Sequence, residues 1–331
     1  MSVKAGALRF NTDSLKMELF DGNQWVEIVA TSPESQTGGA RGMVAGGYVA
    51  PTTSVVNNIE YITISTTGNA IDFGDLVAAR NNIGSVSSST RGLFFGGASL
   101  GAVVYNTIEF ITISSTGDTT DFGDLLNSPS DVKGCASSTR GLVAGGSPPA
   151  TNVIQYVTIS STGDAKDFGD LSATRRGLSG CSSSTRGLFG GALSSSILNI
   201  IEFVTISTLG NASDFGDLTQ VRYRLDACSN AIRGLFMGGL TPSVQNTIDY
   251  VTISTLGNAQ NFGDLTATRH LPGACSSPTR GVCMGGGANG GTGNIIDYVT
   301  IMSTGNAVDF GDLITPTDES GAALSNGHGG L

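Results

Sequence analysis

Apolar and polar positions alternate in short runs along nearly the whole chain. In Asn106-Thr107-Ile108-Glu109-Phe110-Ile111-Thr112-Ile113 the period is two, and the run is rich in β-branched and aromatic residues, as a half-buried strand requires. The same stretch recurs with small variations. Around it stand three other kinds of run: a small-residue segment such as Gly134-Cys135-Ala136-Ser137-Ser138, an apolar segment ending in a glycine pair such as Leu93-Phe94-Phe95-Gly96-Gly97, and Asp121-Phe122-Gly123-Asp124-Leu125. Read in chain order as strands A to D, with Thr-Gly-Asn or Thr-Gly-Asp turn signals between C and D, they predict a four-stranded antiparallel unit. Helical periodicity is nowhere sustained.

A ruler runs through residues 41 to 328. FGDL occurs six times, with its phenylalanine at 73, 122, 168, 215, 262 and 310, a period of 46 to 49 residues. Another aromatic always lies 12 residues earlier: Tyr61, Phe110, Tyr156, Phe203, Tyr250 and Tyr298. Eighteen residues after the first five phenylalanines come Arg91, Arg140, Arg186, Arg233 and Arg280, each followed by glycine. Length variation is concentrated beyond the glycine pair. Periods of this size mean propellers or solenoids, and the absence of polar capping repeats favours radial closure. The reading is an all-β fold: a six-bladed β-propeller over 41–331, its small-residue strands A lining the central channel. Residues 31–40 form a linker, and 1–30 a short β-meander with an Asp21-Gly22 hairpin signal, too small to bury a core alone.

How the ring closes can also be read. The position five before the arginine is Val86, Cys135, Cys181, Cys228 or Cys275; counting onward from Phe310 puts Ala323 there, whereas the N-terminal candidate puts Gln36. An apolar requirement favours Ala323. Residues 320–327 are therefore expected to complete the first blade, removing open sheet edges.

Composition narrows the function. Of 331 residues only 13% are charged, with 17 basic against 27 acidic and a formal net charge of -10, so phosphate-tracking nucleic-acid binding is not expected. No segment has the length and apolarity of a membrane helix or a secretory leader. Four of the five cysteines occupy the small strand-A position rather than CxxC pairs, and read as reduced core residues. Asp-Phe-Gly occurs five times without the lysine and HRD loop of a kinase. The GxSxG match at Gly97 to Gly101 precedes no helix, and the only histidines are His270 and His328. The glycine-rich run 285–291 lacks the Gly-Lys-Ser/Thr of a phosphate loop. Acid pairs such as Asp72/Asp75 and Asp309/Asp312 lack further oxygen ligands for calcium. No catalytic residue, metal or cofactor is expected.

The apolar run into Gly-Gly, the later aromatics on strands C and D, and the arginines Arg80, Arg175, Arg222 and Arg269 beyond strand D resemble the kelch repeat. The chain departs from it in using phenylalanine where kelch repeats favour tryptophan, in a longer gap between the aromatics, and in Pro129 and Thr317 at two arginine positions. Residues "LRFNT" and "KMELFDGNQW" in the N-terminal segment resemble a short module of tail-fibre and other virion proteins of tailed bacteriophages, and the TISTTGNA and DFGDL repeats are similar to those of phage structural proteins. These resemblances imply a non-enzymatic virion component of the tail or its fibres, made in the host cytoplasm. Residues 1–30 would join it to other virion proteins, and the propeller would contact a host surface protein, a glycan or a neighbouring subunit, without nucleic-acid binding or membrane insertion. A cellular kelch-like protein- or glycan-binding propeller is the alternative. In either case the unlike stretches 48–57, 98–105, 147–152, 192–198, 240–246 and 287–294 share one face and form the expected binding surface. Tyr48, Tyr105, Asn152, Asn199, Asn246 and Asn289 are its candidate contacts.

Overall fold

Each repeat builds its own antiparallel sheet because its strands follow one another through short turns. The computed structural model describes residues 4–11, 16–27, 39–50, 52–101, 103–287 and 293–331. Among them are six four-stranded sheets, a three-stranded sheet and a two-stranded ribbon, all β and without a helix. Sheet II holds Gly84–Ser87, Arg91–Phe95, Thr107–Thr112 and Thr120–Asp124 as strands A to D. Sheets III to VI repeat this order, their A strands being Lys133–Ala136, Ser179–Ser182, Asp226–Ser229 and Gly273–Ser276. Sheet I takes B, C and D from Arg41–Val49, Ser54–Thr63 and Ile71–Asp75. Its strand A is Glu319–Ser325, which pairs antiparallel with Arg41–Val49 and sets Ala323 opposite Val44.

The arrangement is β-propeller-like. Strand A of each sheet touches strand A of the next, from II through VI to I and from I back to II. Every sheet therefore has a neighbour on both faces, and the core lies between sheets rather than within one. Six apolar clusters fill these junctions; one joins Met43, Ile59 and Phe73 of sheet I to Phe94 and Ile111 of sheet II, and another joins Val282, Ile296 and Phe310 of sheet VI to Val44, Ile62 and Ile64 of sheet I. In every sheet the FGDL phenylalanine meets the strand-C aromatic edge-on, at 5.9 to 6.2 Å between ring centroids, a favoured aromatic geometry.

Two expectations change in detail. Strands B and C do not always stop at the glycine pair: in sheets I and IV they run on as longer hairpins, Arg41–Val49 with Ser54–Thr63 and Arg186–Leu193 with Ile197–Thr205, passing the glycine through a bulge. In sheet IV the residue aligned with the second glycine is Ala192, at φ 151°, because Gly190 takes an earlier position where the ring of Phe236 leaves no room for a Cβ. Second, the small strand-A residues, read from the sequence as lining the central channel, also meet the next sheet. The thiols of Cys135, Cys181, Cys228 and Cys275 point at Gly187, Gly234, Gly281 and Gly42, the glycines that follow the strand-B arginines. All five cysteines are free and buried.

The N-terminal residues form the meander Leu8–Asn11, Lys16–Phe20 and Trp25–Glu27. Asp21 Oδ1 accepts the N–H groups of Asn23 and Gln24 at 2.8 Å each in its hairpin turn, and Arg9 stacks on Trp25 at 4.2 Å while contacting Glu18. The expected linker 31–40 lies outside the described residues up to position 38.

Candidate functional site: the loop face

Most residues held constant among the repeats are engaged in joining sheets. The arginine opening each strand B stacks on the strand-C aromatic of its own sheet at 4.4 to 4.7 Å. Its Nη1 donates to an isoleucine carbonyl of the next sheet, from Arg41 to Ile113 (2.8 Å) around to Arg280 and Ile64 (3.0 Å). The turn between strands C and D, Thr-Gly in four sheets and Leu-Gly in sheets IV and V, donates its glycine N–H to the FGDL phenylalanine carbonyl of the preceding sheet, as Gly117 does to Phe73 and Gly68 to Phe310, both at 2.8 Å. The next residue, Asn or Asp, accepts the N–H of the aspartate after Phe-Gly through its side chain. The glycine of Phe-Gly-Asp lies at φ 146° to 153° with that turn against its α-carbon, so a Cβ has no place.

The second set of arginines is buried. Arg80, Arg175, Arg222 and Arg269 leave one sheet and pair with Glu109, Glu202, Asp249 and Asp297 on strand C of the next, at 2.8, 2.5, 2.6 and 2.6 Å. Burial lowers the guanidinium pKa of Arg80, Arg175 and Arg222, and the facing carboxylate opposes it. Where Pro129 replaces the arginine, the acid is replaced as well: Gln155 accepts the Leu126 N–H at 2.7 Å and donates to Asn127 at 2.9 Å. Where Thr317 replaces it, Glu60 takes the N–H groups of Ile314 and Thr315, both at 2.8 Å. These acids were not singled out by the sequence patterns.

The centre is nearly filled. A cavity of about 60 Å³ lies among the A strands, lined mainly by serine, cysteine, alanine and glycine, enough for a few waters. Towards the loop face the backbone closes further, each N–H meeting a carbonyl of the preceding sheet: Asp131 to Asn82 (2.9 Å), Gly177 to Asp131 (3.2 Å), Arg224 to Gly177 (2.7 Å) and Leu271 to Arg224 (2.6 Å). Asn82, Asp131, Gly177, Arg224 and Leu271 all adopt φ of 50° to 62° there. The residual space is about 10 Å³. No group of three or more His, Cys, Asp or Glu able to hold a metal occurs among the described residues, and no helix is long and apolar enough to cross a membrane.

What remains unlike from sheet to sheet is the loop face. Tyr48 lies half-buried on the extended hairpin of sheet I, its carbonyl taking the Asp318 N–H at 2.8 Å. Tyr105 lies beside the Arg80 guanidinium at 5.7 Å. Asn152, Asn199 and Asn246 have another character: with Asn57, Asn106 and Asn294 they form one repeat position, whose carbonyl accepts the N–H of the FGDL leucine at 2.7 or 2.8 Å. They hold strand C against strand D, and they looked loop-like only because the loops end on them. Asn289 lies outside the described residues. The face also carries an apolar arc that no spacing singled out. After FGDL, consecutive sheets VI, I and II expose Ile314 (58%), Val77 (73%) and Leu126 (56%), beside Leu100 and Val103 of the sheet II loop, whereas sheets III to V have Ser172, Thr219 and Thr266. No protein-family model and no curated relative matches the chain.

Proposed function

We propose that this chain is a non-enzymatic binding and structural protein built as a six-bladed kelch-like β-propeller, carried on a phage virion at the tail or its fibres. In this reading residues 1–30 join it to other virion proteins, and the loop face contacts a host surface protein, a glycan or a neighbouring subunit. One observation carries the binding role: most constant residues are engaged in sheet-to-sheet contacts, while the loops of unlike length and content share one face, which on three consecutive sheets also exposes an aliphatic side chain after FGDL. A turn repeated in every sheet is explained by its geometry. Loops of differing length and content on one rigid support are the usual place of recognition, and an aliphatic arc over half of that face fits an asymmetric partner. The phage assignment is supported by the N-terminal residues and the repeats described above. The test replaces 98–105 and 287–294 by Gly-Ser linkers. The reading expects an unchanged melting curve with loss of attachment to cells or particles, and particle proteomics that find the chain in virions. Full adsorption and assembly by the swapped protein would overturn the assigned face, and absence from particles would overturn the virion reading.

A further inference from the structure

The inner strands are joined by a ring of hydroxyls. At one level they carry Ser87, Ala136, Ser182, Ser229, Ser276 and Ser325. Ser182 Oγ donates to the Ala136 carbonyl at 2.7 Å, Ser229 to Ser182 at 2.7 Å, Ser276 to Ser229 at 2.7 Å, Ser325 to Ser276 at 2.6 Å and Ser87 to Ser325 at 2.8 Å. Ala136 has no hydroxyl, so the Ser87 carbonyl lacks this donor. The gap is filled from elsewhere: His328 Nε2 lies 2.8 Å from Ser87 O. A carbonyl only accepts, so Nε2 carries the proton. The Gly330 N–H donates to Nδ1 at 3.1 Å, so Nδ1 is bare, and the two bonds together fix a neutral imidazole.

The segment bearing this ring lies across the end of the channel opposite the loop face. Gly329 donates its N–H to Ser229 O at 2.8 Å, and Asn326 Oδ1 accepts the Arg41 N–H at 2.7 Å. Gly329 and Gly330 press against carbonyls of Asn230 and Ala136 with no room for a Cβ. We propose that His328 is an acid-sensitive latch that seats residues 326–331 over the channel end, and that protonation at Nδ1 releases them. A second proton would set an N–H against the Gly330 N–H and place a charge beside a cavity that offers no counter-ion. The titratable groups lining that cavity with His328, from the inner strands of sheets III to VI, are the thiols of Cys135, Cys181, Cys228 and Cys275, all kept protonated by burial. From sheets I and II it is lined by Ser85, Val86, Ser87, Ala323, Leu324 and Ser325. Asp226, in the same ring of strands, is tied to Lys133 at 2.9 Å.

Burial lowers the His328 pKa below its ordinary 6.5, the bond to Ser87 opposing. The released tail titrates near the ordinary value, so the latch is fully present above pH 6.5 and weakens as pH falls from there toward the depressed value. The test follows His328 ring resonances and hydrogen exchange at Gly329 and Gly330, corrected for the intrinsic pH dependence, from about pH 8 to about pH 5. We expect protection to fall about tenfold for each unit by which the imidazole pKa is depressed. His328→Gln, whose amide can both donate to Ser87 and accept from Gly330 without titrating, should stay protected throughout. Ala136→Ser combined with His328→Ala should restore the hydroxyl ring while leaving the tail exchanging freely at every pH. Equal wild-type protection at both ends of the range, or the same acid-induced loss in His328→Gln, overturns the proposal.

Discussion

At the scale of single residues, the Arg-Gly step that opens every strand B has two jobs. The arginine bridges to the next sheet, and the glycine leaves room for the side chain arriving from the previous one. A Cβ on Gly187 would lie 2.5 Å from Cys135 Sγ, well inside van der Waals contact. Gly187→Ala should therefore lower stability by about 1–3 kcal/mol, as overpacking does. Removing the sulfur as well, in Gly187→Ala with Cys135→Ala, should recover most of that loss. Denaturant titration of the two single variants and the double variant measures the coupling, and strictly additive effects would show that the thiol is not what the glycine accommodates. The same burial governs reactivity. The thiol pKa values of Cys181 and Cys283 are pushed up to about 12, so a thiol reagent should label them only on unfolding. The sequence disclosed the small apolar position through its spacing from the arginine. It did not disclose the direction of the thiol, because period-two alternation assigns a side chain to a face without saying which neighbour lies there.

At the scale of elements, the constant intervals of 12 and 18 residues are fixed by the packing of the four-strand unit. The first brings the strand-C aromatic against the FGDL phenylalanine, and the second places the next strand-B arginine. That is why the four-strand unit was legible without any relative. The acids on strand C were not, since Glu109 in Thr107-Ile108-Glu109-Phe110 reads as a solvent-facing position of a one-sided sheet. Here both faces of each sheet are covered, and Glu109 is buried with 4% exposure. Glu109→Ala leaves the Arg80 guanidinium buried without its carboxylate, a loss expected to cost about 3–5 kcal/mol. Asp121→Ala, on an exposed position of strand D in the same sheet, should change stability by less than about 0.5 kcal/mol. Comparable effects of the two in urea titrations would refute the assignment. The junction with Gln155 and Pro129 shows that a neutral pairing is tolerated when both partners change. Loop content was less legible than strand order: Asn152, Asn199 and Asn246 stand at loop ends in the sequence, yet their backbone carbonyls tie strand C to strand D.

At the scale of the molecule, sheet-to-sheet contacts run through every junction, and one junction depends on chain ends far apart in sequence. Glu319–Ser325 is the strand on which this closure rests: it pairs with Arg41–Val49, Ser85 Oγ donates to Ala323 O at 2.7 Å, and Ser325 exchanges bonds with Ser276. Removing residues 319–331 strips sheet I of a strand and leaves the inner faces of sheets II and VI without their neighbour, exposing residues such as Val44 and Ala45 that are now buried. The loss should exceed what a tail of this length costs. We expect at least about 5 kcal/mol, and for a domain of this size a fall in melting temperature of roughly 10 °C or more. Truncation at residue 325 alone keeps the strand and should cost far less. Because the deleted strand docks into a preformed slot between two standing neighbours, a synthetic peptide of residues 319–331 added in excess should raise the melting temperature of the truncated protein in a concentration-dependent way. A truncated chain that melts like the full one would mean that the sheets hold together without this strand, and a destabilised chain that the peptide leaves unchanged would mean that no preformed slot survives the deletion.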